Sequence, residues 1–392
     1  RISKVEENAV SLYEYLRSCV LITGTDKEDY FVITRKPNGI TNVSIYRIKN
    51  GEKQDKFWDV DYDKSVSNEL WIYGLDDKDI FEVNGESNKY VKIKIIGGQN
   101  NDTYRINNKR NLRVFDQKSK PNTFETPVSK TLSDNYDLNT YYYKKNRRDI
   151  SRVLPIIASN PDDGLKIGAT YHYEKNSLQR NPFTARHNIS VAYMTETSGA
   201  WIKYAGEFAN IFQKINLGID AGYTSSSYTD NFFGFGNETP NFEDDLDLDF
   251  NRVRLQKLGI SPSLIFRGYY GSEIRLGVGY ENIKAEKTAG RFIETADVNP
   301  NVFEGQDFFS IQSSYEYKNF DNSAFPKSGI AFKLTAGYKA NFDEDKGFPY
   351  IIPELRLTTK IDKRGILVYA TKLKAHFNLS DEFEFHQAAS IG

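Results

Sequence analysis

Two stretches of this sequence carry residue types arranged as if for metal chemistry. Gly74-Leu75-Asp76-Asp77-Lys78-Asp79-Ile80-Phe81-Glu82-Val83-Asn84 aligns with Gly97-Gly98-Gln99-Asn100-Asn101-Asp102-Thr103-Tyr104-Arg105-Ile106-Asn107 at a constant offset of 23. In a Gly-Gly-x-x-x-Asp stretch the glycines free backbone carbonyls to turn inward beside a carboxylate. That donor set suits a hard cation and makes Asp79 and Asp102 calcium candidates. Calcium rolls, however, depend on nonapeptides in tandem, and two copies 23 residues apart do not supply adjacent half-sites. The repeat therefore reads first as a structural turn whose aspartates accept hydrogen bonds from turn amides.

Elsewhere the ingredients of catalysis are missing. His172, His187, His376 and His386 show no metal-binding spacing, and His172 and His376 fall on the polar side of their segments. There is no Gly-x-Ser-x-Gly elbow, no Walker loop and no Gly-x-Gly-x-x-Gly in a nucleotide-binding context. Glu243, Asp244, Asp245, Asp247 and Asp249 form an acidic run that reads as a solvated loop face. Cys19 is the one cysteine; beside Val20, Leu21 and Ile22 it reads as a small buried hydrophobe. With 52 basic and 53 acidic residues, scattered rather than clustered, the chain lacks the electrostatic footprint of a nucleic-acid partner. No catalytic or cofactor-binding residue is assigned.

The informative pattern is a two-residue rhythm. Leu165, Ile167, Ala169, Tyr171 and Tyr173 alternate with Lys166, Gly168, Thr170 and His172; Ile215, Leu217, Ile219, Ala221 and Tyr223 alternate with Asn216, Gly218, Asp220 and Gly222. One face is apolar and aromatic, the other rich in glycine and charge, which suits strands between lipid and a wet lumen. Mean hydropathy is only -0.60 because such strands need every second residue to be apolar, and no run of 18 apolar residues offers a helical span. Alternation predicts eleven strands: 152–160, 165–175, 187–195, 200–211, 214–225, 251–267, 273–285, 307–319, 330–340, 349–361 and 365–377. The long polar connections 226–250 and 286–306 fall on one side of this meander and the short ones near 269–272 and 362–365 on the other. Long outer loops and short periplasmic turns have this parity, which would put residues 1–150 in the periplasm. Lys166, His172, Asp220, Arg275, Lys333, Lys372 and Lys374 are expected to face the lumen, and Leu217, Ile219, Val278, Phe332 and Leu334 the lipid.

Upstream, residues 1–19 have helical spacing at Ile2, Val5, Ala9, Leu12 and Leu16, which predicts an amphipathic helix. Residues 20–116 read as a small β domain: a hairpin around Pro37-Asn38-Gly39, then stacked roll-like rungs set by the 23-residue repeat. Residues 117–150, with little periodicity and the Tyr141-Tyr142-Tyr143-Lys144 cluster, read as a linker, and 151–392 as the barrel.

Several runs resemble one family. Asn160-Pro161-Asp162-Asp163-Gly164, Asn181-Pro182-Phe183, the loop Asn231-Phe232-Phe233-Gly234-Phe235-Gly236-Asn237, and Phe325-Pro326-Lys327-Ser328-Gly329 together resemble the surface-antigen (BamA-like) outer-membrane barrel family. The amino-terminal part is similar to Bacteroidetes proteins in which a calcineurin-like metallophosphoesterase precedes such a barrel. The metallophosphoesterase motifs have no counterpart here, so any such activity would lie upstream of Arg1. The resemblance implies a sixteen-strand antiparallel transmembrane β-barrel, of which eleven strands are visible, with the family's Arg-Gly loop and closing strands following Gly392. It implies family roles for Asp162, Asp163, Gly164, Phe233, Gly234, Gly236, Asn237, Phe325, Pro326 and Gly329. It also implies a place in outer-membrane lipid, with other assembly proteins or client polypeptides as partners. Three functions compete: outer-membrane protein or lipoprotein assembly and translocation, anchoring of a periplasmic or phosphoesterase domain, and a passive pore.

Overall fold

The structure, a computed structural model, describes residues 2–144, 148–236, 246 and 249–389. The chain divides into two compact units, 1–148 and 149–392.

The first unit opens with helix α1 (Ile2–Arg17), whose apolar Val5, Leu12 and Leu16 stay on the surface. Eleven strands follow: β1 (Cys19–Thr23), β2 (Asp29–Arg35), β3 (Ile40–Lys49), β4 (Glu52–Asp63), β5 (Glu69–Leu75), β6 (Ile80–Gly85), β7 (Lys92–Gly98), β8 (Thr103–Ile106), β9 (Leu112–Asp116), β10 (Thr123–Phe124) and β11 (Lys130–Leu132). One sheet runs β1-β5-β7-β9-β11 with every pair parallel. The other runs β10-β8-β6-β2, also parallel, and is extended by the antiparallel hairpin β3–β4. The chain passes from one sheet to the other once per rung, so this is a short parallel solenoid. Its core lies between the sheets and holds Ile72, Ile95 and Val114 from one, Phe31, Phe81 and Val83 from the other. β-branched and aromatic residues at alternate positions are what a parallel sheet covered on one face requires.

The offset of 23 is the register of the middle rungs: Ile72 pairs with Ile95, and Ile80 with Thr103. Two expectations change. Residues 117–132 are not linker; β10 and β11 pair with β8 and β9 as the last part of the solenoid. Strands of two and three residues are too short to show alternation, and they are held by non-local parallel pairing. Tyr141, grouped with the linker, packs its ring 5.2 Å from Tyr73.

The second unit is one meander: β12 (Ile150–Asn160), β13 (Gly164–Lys175), β14 (Ala185–Met194), β15 (Ala200–Phe212), β16 (Ile215–Thr224), β18 (Arg252–Arg267), β19 (Ser272–Ala285), β20 (Gln306–Phe320), β21 (Gly329–Asn341), β22 (Lys346–Lys360) and β23 (Val368–Lys374). Each is antiparallel to the next. The short β17 (Thr229–Asn231) pairs with the start of β18, and β24 (Phe377–Asn378) with β22. Among the described residues the outermost strands β12 and β23 do not pair with each other. Among the described residues no helix is long and apolar enough to cross a membrane.

Candidate functional site

The meander has one polar and one apolar face because alternate residues of a strand point to opposite sides. The polar face lines a cavity of about 840 Å³ to which Ser190, Lys203, Asp220, Lys257, Glu281 and Lys339 contribute from six different strands. Opposite charges meet on this face: Arg275 of β19 lies 3.1 Å from Asp220 of β16 and Lys339 of β21 2.6 Å from Glu281 of β19, each across one intervening strand, and Lys372 of β23 lies 3.4 Å from Glu354 of the adjacent β22. His172 bonds Asn188, a cavity residue, at 2.6 Å. Lys166 shares the face of His172, Lys333 that of Lys339, and Lys374 that of Lys372, each an even number of residues away. All seven polar residues singled out from the sequence therefore lie on one face. Leu217, Ile219, Val278, Phe332 and Leu334 lie on the opposite one, where Val278, Phe332 and Leu334 are exposed.

The family-type motifs separate into two ends. At one, Asn160-Pro161-Asp162-Asp163-Gly164 turns β12 into β13, and Asp162 receives Arg252 at 3.1 Å and the amide of Asn231 at 3.2 Å. Arg252 is almost fully buried and also pairs with Asp249, which Arg291 meets at 2.8 Å. Phe232, next to Phe233 and Gly234, enters an apolar cluster with Val253, Leu255, Ile283, Ile293 and Phe308. Asn237 and most of the acidic run 243–249 lie outside the described residues; Gly236 is exposed and Asp249 is in the ion-pair network. At the other end, Phe325, Pro326 and Gly329 belong to the turn 321–328 and the start of β21. There Asp321 accepts the amides of Lys327 and Ser328, while Phe325 is exposed.

Sequence reasoning missed the segment after β23. Residues 375–379 continue β23 along β22 in the same register, with Leu379 N donating to Pro349 O, and residues 380–389 then fold in: Asn299 donates to Glu384, and Phe385 completes the apolar cluster 4.8 Å from the Phe232 ring. His386, 5.6 Å from the Phe308 ring, faces the cavity together with Gln387 and Ala388. The run Phe383-Glu384-Phe385-His386 has strand-like alternation, so nothing local distinguishes it from one more strand.

In the first unit the two calcium candidates occupy equivalent places in a column of buried side chains. Asp29 N donates to Asp79 Oδ1 at 2.8 Å, Asp79 N to Asp102 Oδ1 at 2.9 Å, and Asp102 N to Asn122 Oδ1 at 2.9 Å. Burial holds the carboxyls above the usual range: Asp79 is pushed up to about 9, with Asp102 beside it adding repulsion, and Asp102 to about 8 with Asp116 adding. Asp116 reaches only about 6 because Tyr104, Gln117 and Asn122 donate to it. Asp29 is raised less, since Thr25 and Arg47 offset its burial. Among the described residues no three His, Cys, Asp or Glu side chains are grouped as metal ligands. A parallel column stacks Phe31, Phe81, Tyr104 and Phe124, with centroids 4.6, 5.3 and 4.8 Å apart. The signal for the first rung was present as Gly24-x-x-x-x-Asp29-x-Phe31, but the β3–β4 hairpin lengthens its offset to 50.

The family model of the OMP85 superfamily matches residues 176–352, which run from the end of β13 into β22. Among solved structures, BamA from Haemophilus ducreyi lacking POTRA domains 1–3 is similar over 62% of this chain and 44% of its own, at 14% identity and a TM-score of 0.42. The matched part thus spans less than half of that relative. No curated protein matches the chain. Residues 176–352, the middle of the antiparallel sheet, are thus similar to the OMP85 superfamily of outer-membrane proteins.

Proposed function

We propose that this chain is the barrel-forming part of a device that handles outer-membrane proteins or lipoproteins, with residues 1–150 on the periplasmic side. The observation that carries the reading is the folded-in segment 380–389. It brings Phe385 into an apolar cluster and His386 to the cavity, where a passive solute channel calls for an unobstructed polar path. Partners on this reading are client polypeptides and other assembly proteins.

A photo-crosslinking side chain at Val153 or Ile157 of β12, introduced in the full-length protein in cells, tests it. Both residues are exposed on that strand. Crosslinks to newly exported outer-membrane proteins or lipoproteins are expected. No client captured, together with large steady single-channel conductance of the purified protein in a planar bilayer, refutes the reading in favour of a pore. No client and no conductance leaves the barrel as an anchor for a periplasmic domain, and refutes it equally.

A further inference from the structure

The solenoid corner contains a contradiction if all its carboxyls are charged. Asp79 Oδ2 and Asp102 Oδ2 are buried and accept no hydrogen bond, although the other oxygen of each takes an amide from the preceding rung. Each unpartnered oxygen points at another acceptor. A Cβ built on Gly74 would lie 2.2 Å from Asp79 Oδ2 and 2.3 Å from Gly97 O, so these two oxygens converge over the Gly74 backbone. A Cβ on Gly97 would lie 2.3 Å from Asp102 Oδ2, 2.3 Å from Tyr104 Oη and 2.7 Å from Asp116 Oδ2. Tyr104 has one hydroxyl proton and gives it to Asp116 Oδ2 at 2.6 Å. Facing oxygens in a dry site need something positive between them.

No cation supplies it. The charged groups acting on Asp79 are Asp102, Asp29 and Asp77, and on Asp102 it is Asp116, all acids. Arg47 reaches the corner but pairs with Asp29 at 3.1 Å. The last rung shows what belongs there: Asn122, in the place of Asp79 and Asp102, accepts the Asp102 amide with Oδ1 and donates with Nδ2 to Gln117 O at 3.1 Å. An amide is the neutral, donor-bearing counterpart of a carboxylic acid.

We infer that Asp79 and Asp102 are neutral acids whose Oδ2–H groups donate to Gly97 O and Tyr104 Oη, so that the solenoid corner is latched by two protons. Asp116, at the end of the relay from Asp102 through Tyr104, carries the negative charge, as does Asp29 opposite Arg47. The sign of the resulting pH dependence is the reverse of the usual one for aspartate. Released from the fold, both acids ionise near pH 4, while in the fold they hold their protons until about pH 8 to 9. The folded rungs therefore carry more protons than the open ones across that window. Their stability is fully present below about pH 4 and is lost as pH rises toward about 8 to 9.

Hydrogen exchange on the full chain in detergent tests this, with protection in peptides spanning 69–107 corrected for the intrinsic pH dependence of exchange. Between pH 5 and 8 protection should fall roughly tenfold per pH unit for each acid. Asp79→Asn and Asp102→Asn replace each acid by the residue type of the last rung; the double variant should show a flat profile above about pH 6, where Asp116 has ionised, and protection at pH 8 at least equal to the parent. Infrared difference spectra at pH 7 should show a protonated-carboxyl stretch that the double variant lacks. A parent profile flat with pH, or Asn variants less protected than the parent at pH 8, overturns the inference.

Discussion

Gly97→Ala is the sharpest single test of the solenoid corner, because the added methyl has nowhere to go. Its carbon would sit 2.3 Å from both Asp102 Oδ2 and Tyr104 Oη, and 2.7 Å from Asp116 Oδ2. These atoms are not flexible tips: Asp102 and Asp116 are almost wholly buried, and Tyr104 is clamped between Phe81 and Phe124. Overpacking a tight interior costs about 1–3 kcal/mol. Pushing Tyr104 off Asp116 leaves a buried acceptor unsatisfied, for about 1–3 kcal/mol more. The expected loss is roughly 2–6 kcal/mol. Gly51→Ala is the comparison: Gly51 has φ +78 with nothing within 4 Å of an added Cβ, so its penalty is backbone strain alone, about 1 kcal/mol. Pulse proteolysis across a urea series, scoring cleavage within residues 1–148, reads both. With a urea dependence of ~1–3 kcal/mol per molar, Gly97→Ala should lower the midpoint by roughly 1–3 M. A shift no larger than that of Gly51→Ala would refute the packing argument.

Three further outcomes follow from other parts of the molecule. Phe81→Ala removes a fully buried ring from the middle of the aromatic column and should cost the first unit about 3–5 kcal/mol in the same assay; a loss under 1 kcal/mol would mean the rungs do not depend on the stack. Val278→Arg puts a charge on the apolar face of β19 and should lower folding stability in lipid vesicles by roughly 2–4 kcal/mol, whereas Gln312→Arg on the cavity face should cost much less; equal costs would reverse the assigned facing. Phe385→Ala withdraws the ring that seats the folded-in segment, and single-channel recordings should show longer and more frequent openings than the parent; unchanged conductance would mean that residues 380–389 do not obstruct the cavity.

The meander was legible because its physics is local. Period-two alternation is written in each strand, and the starts of β13, β15 and β20 lie within one residue of those expected from the sequence. The solenoid was legible only where its repeat is regular. Rungs two and three share one offset, but the hairpin between β2 and β5 hides the first rung and shortened returns hide the last. The roles of Asp29, Asp116 and Asn122 depend on register across the sheet rather than on neighbours in sequence. Residues 380–389 were illegible for the same reason: Phe385 is buried by Phe232 and its neighbours, more than a hundred residues earlier in the chain.

The shape of the last rung bears on how the first unit responds to load. Its strands β10 and β11 have two and three residues against seven in β5 and β7, and each is bonded to a single neighbour in its sheet. The chain leaves this rung toward β12, so tension arriving from residue 149 first loads Tyr141 on Tyr73 and the short helix 136–139, and then this weakest rung. Bonds between stacked rungs then break one rung at a time, as in unzipping, instead of sharing the force as they would in shear. The solenoid should therefore yield in steps, paying out slack from residue 132 backward while the rungs nearer α1 stay folded. An element built this way acts as a compliant tether, with a first release far below the force needed to extract a barrel strand from lipid.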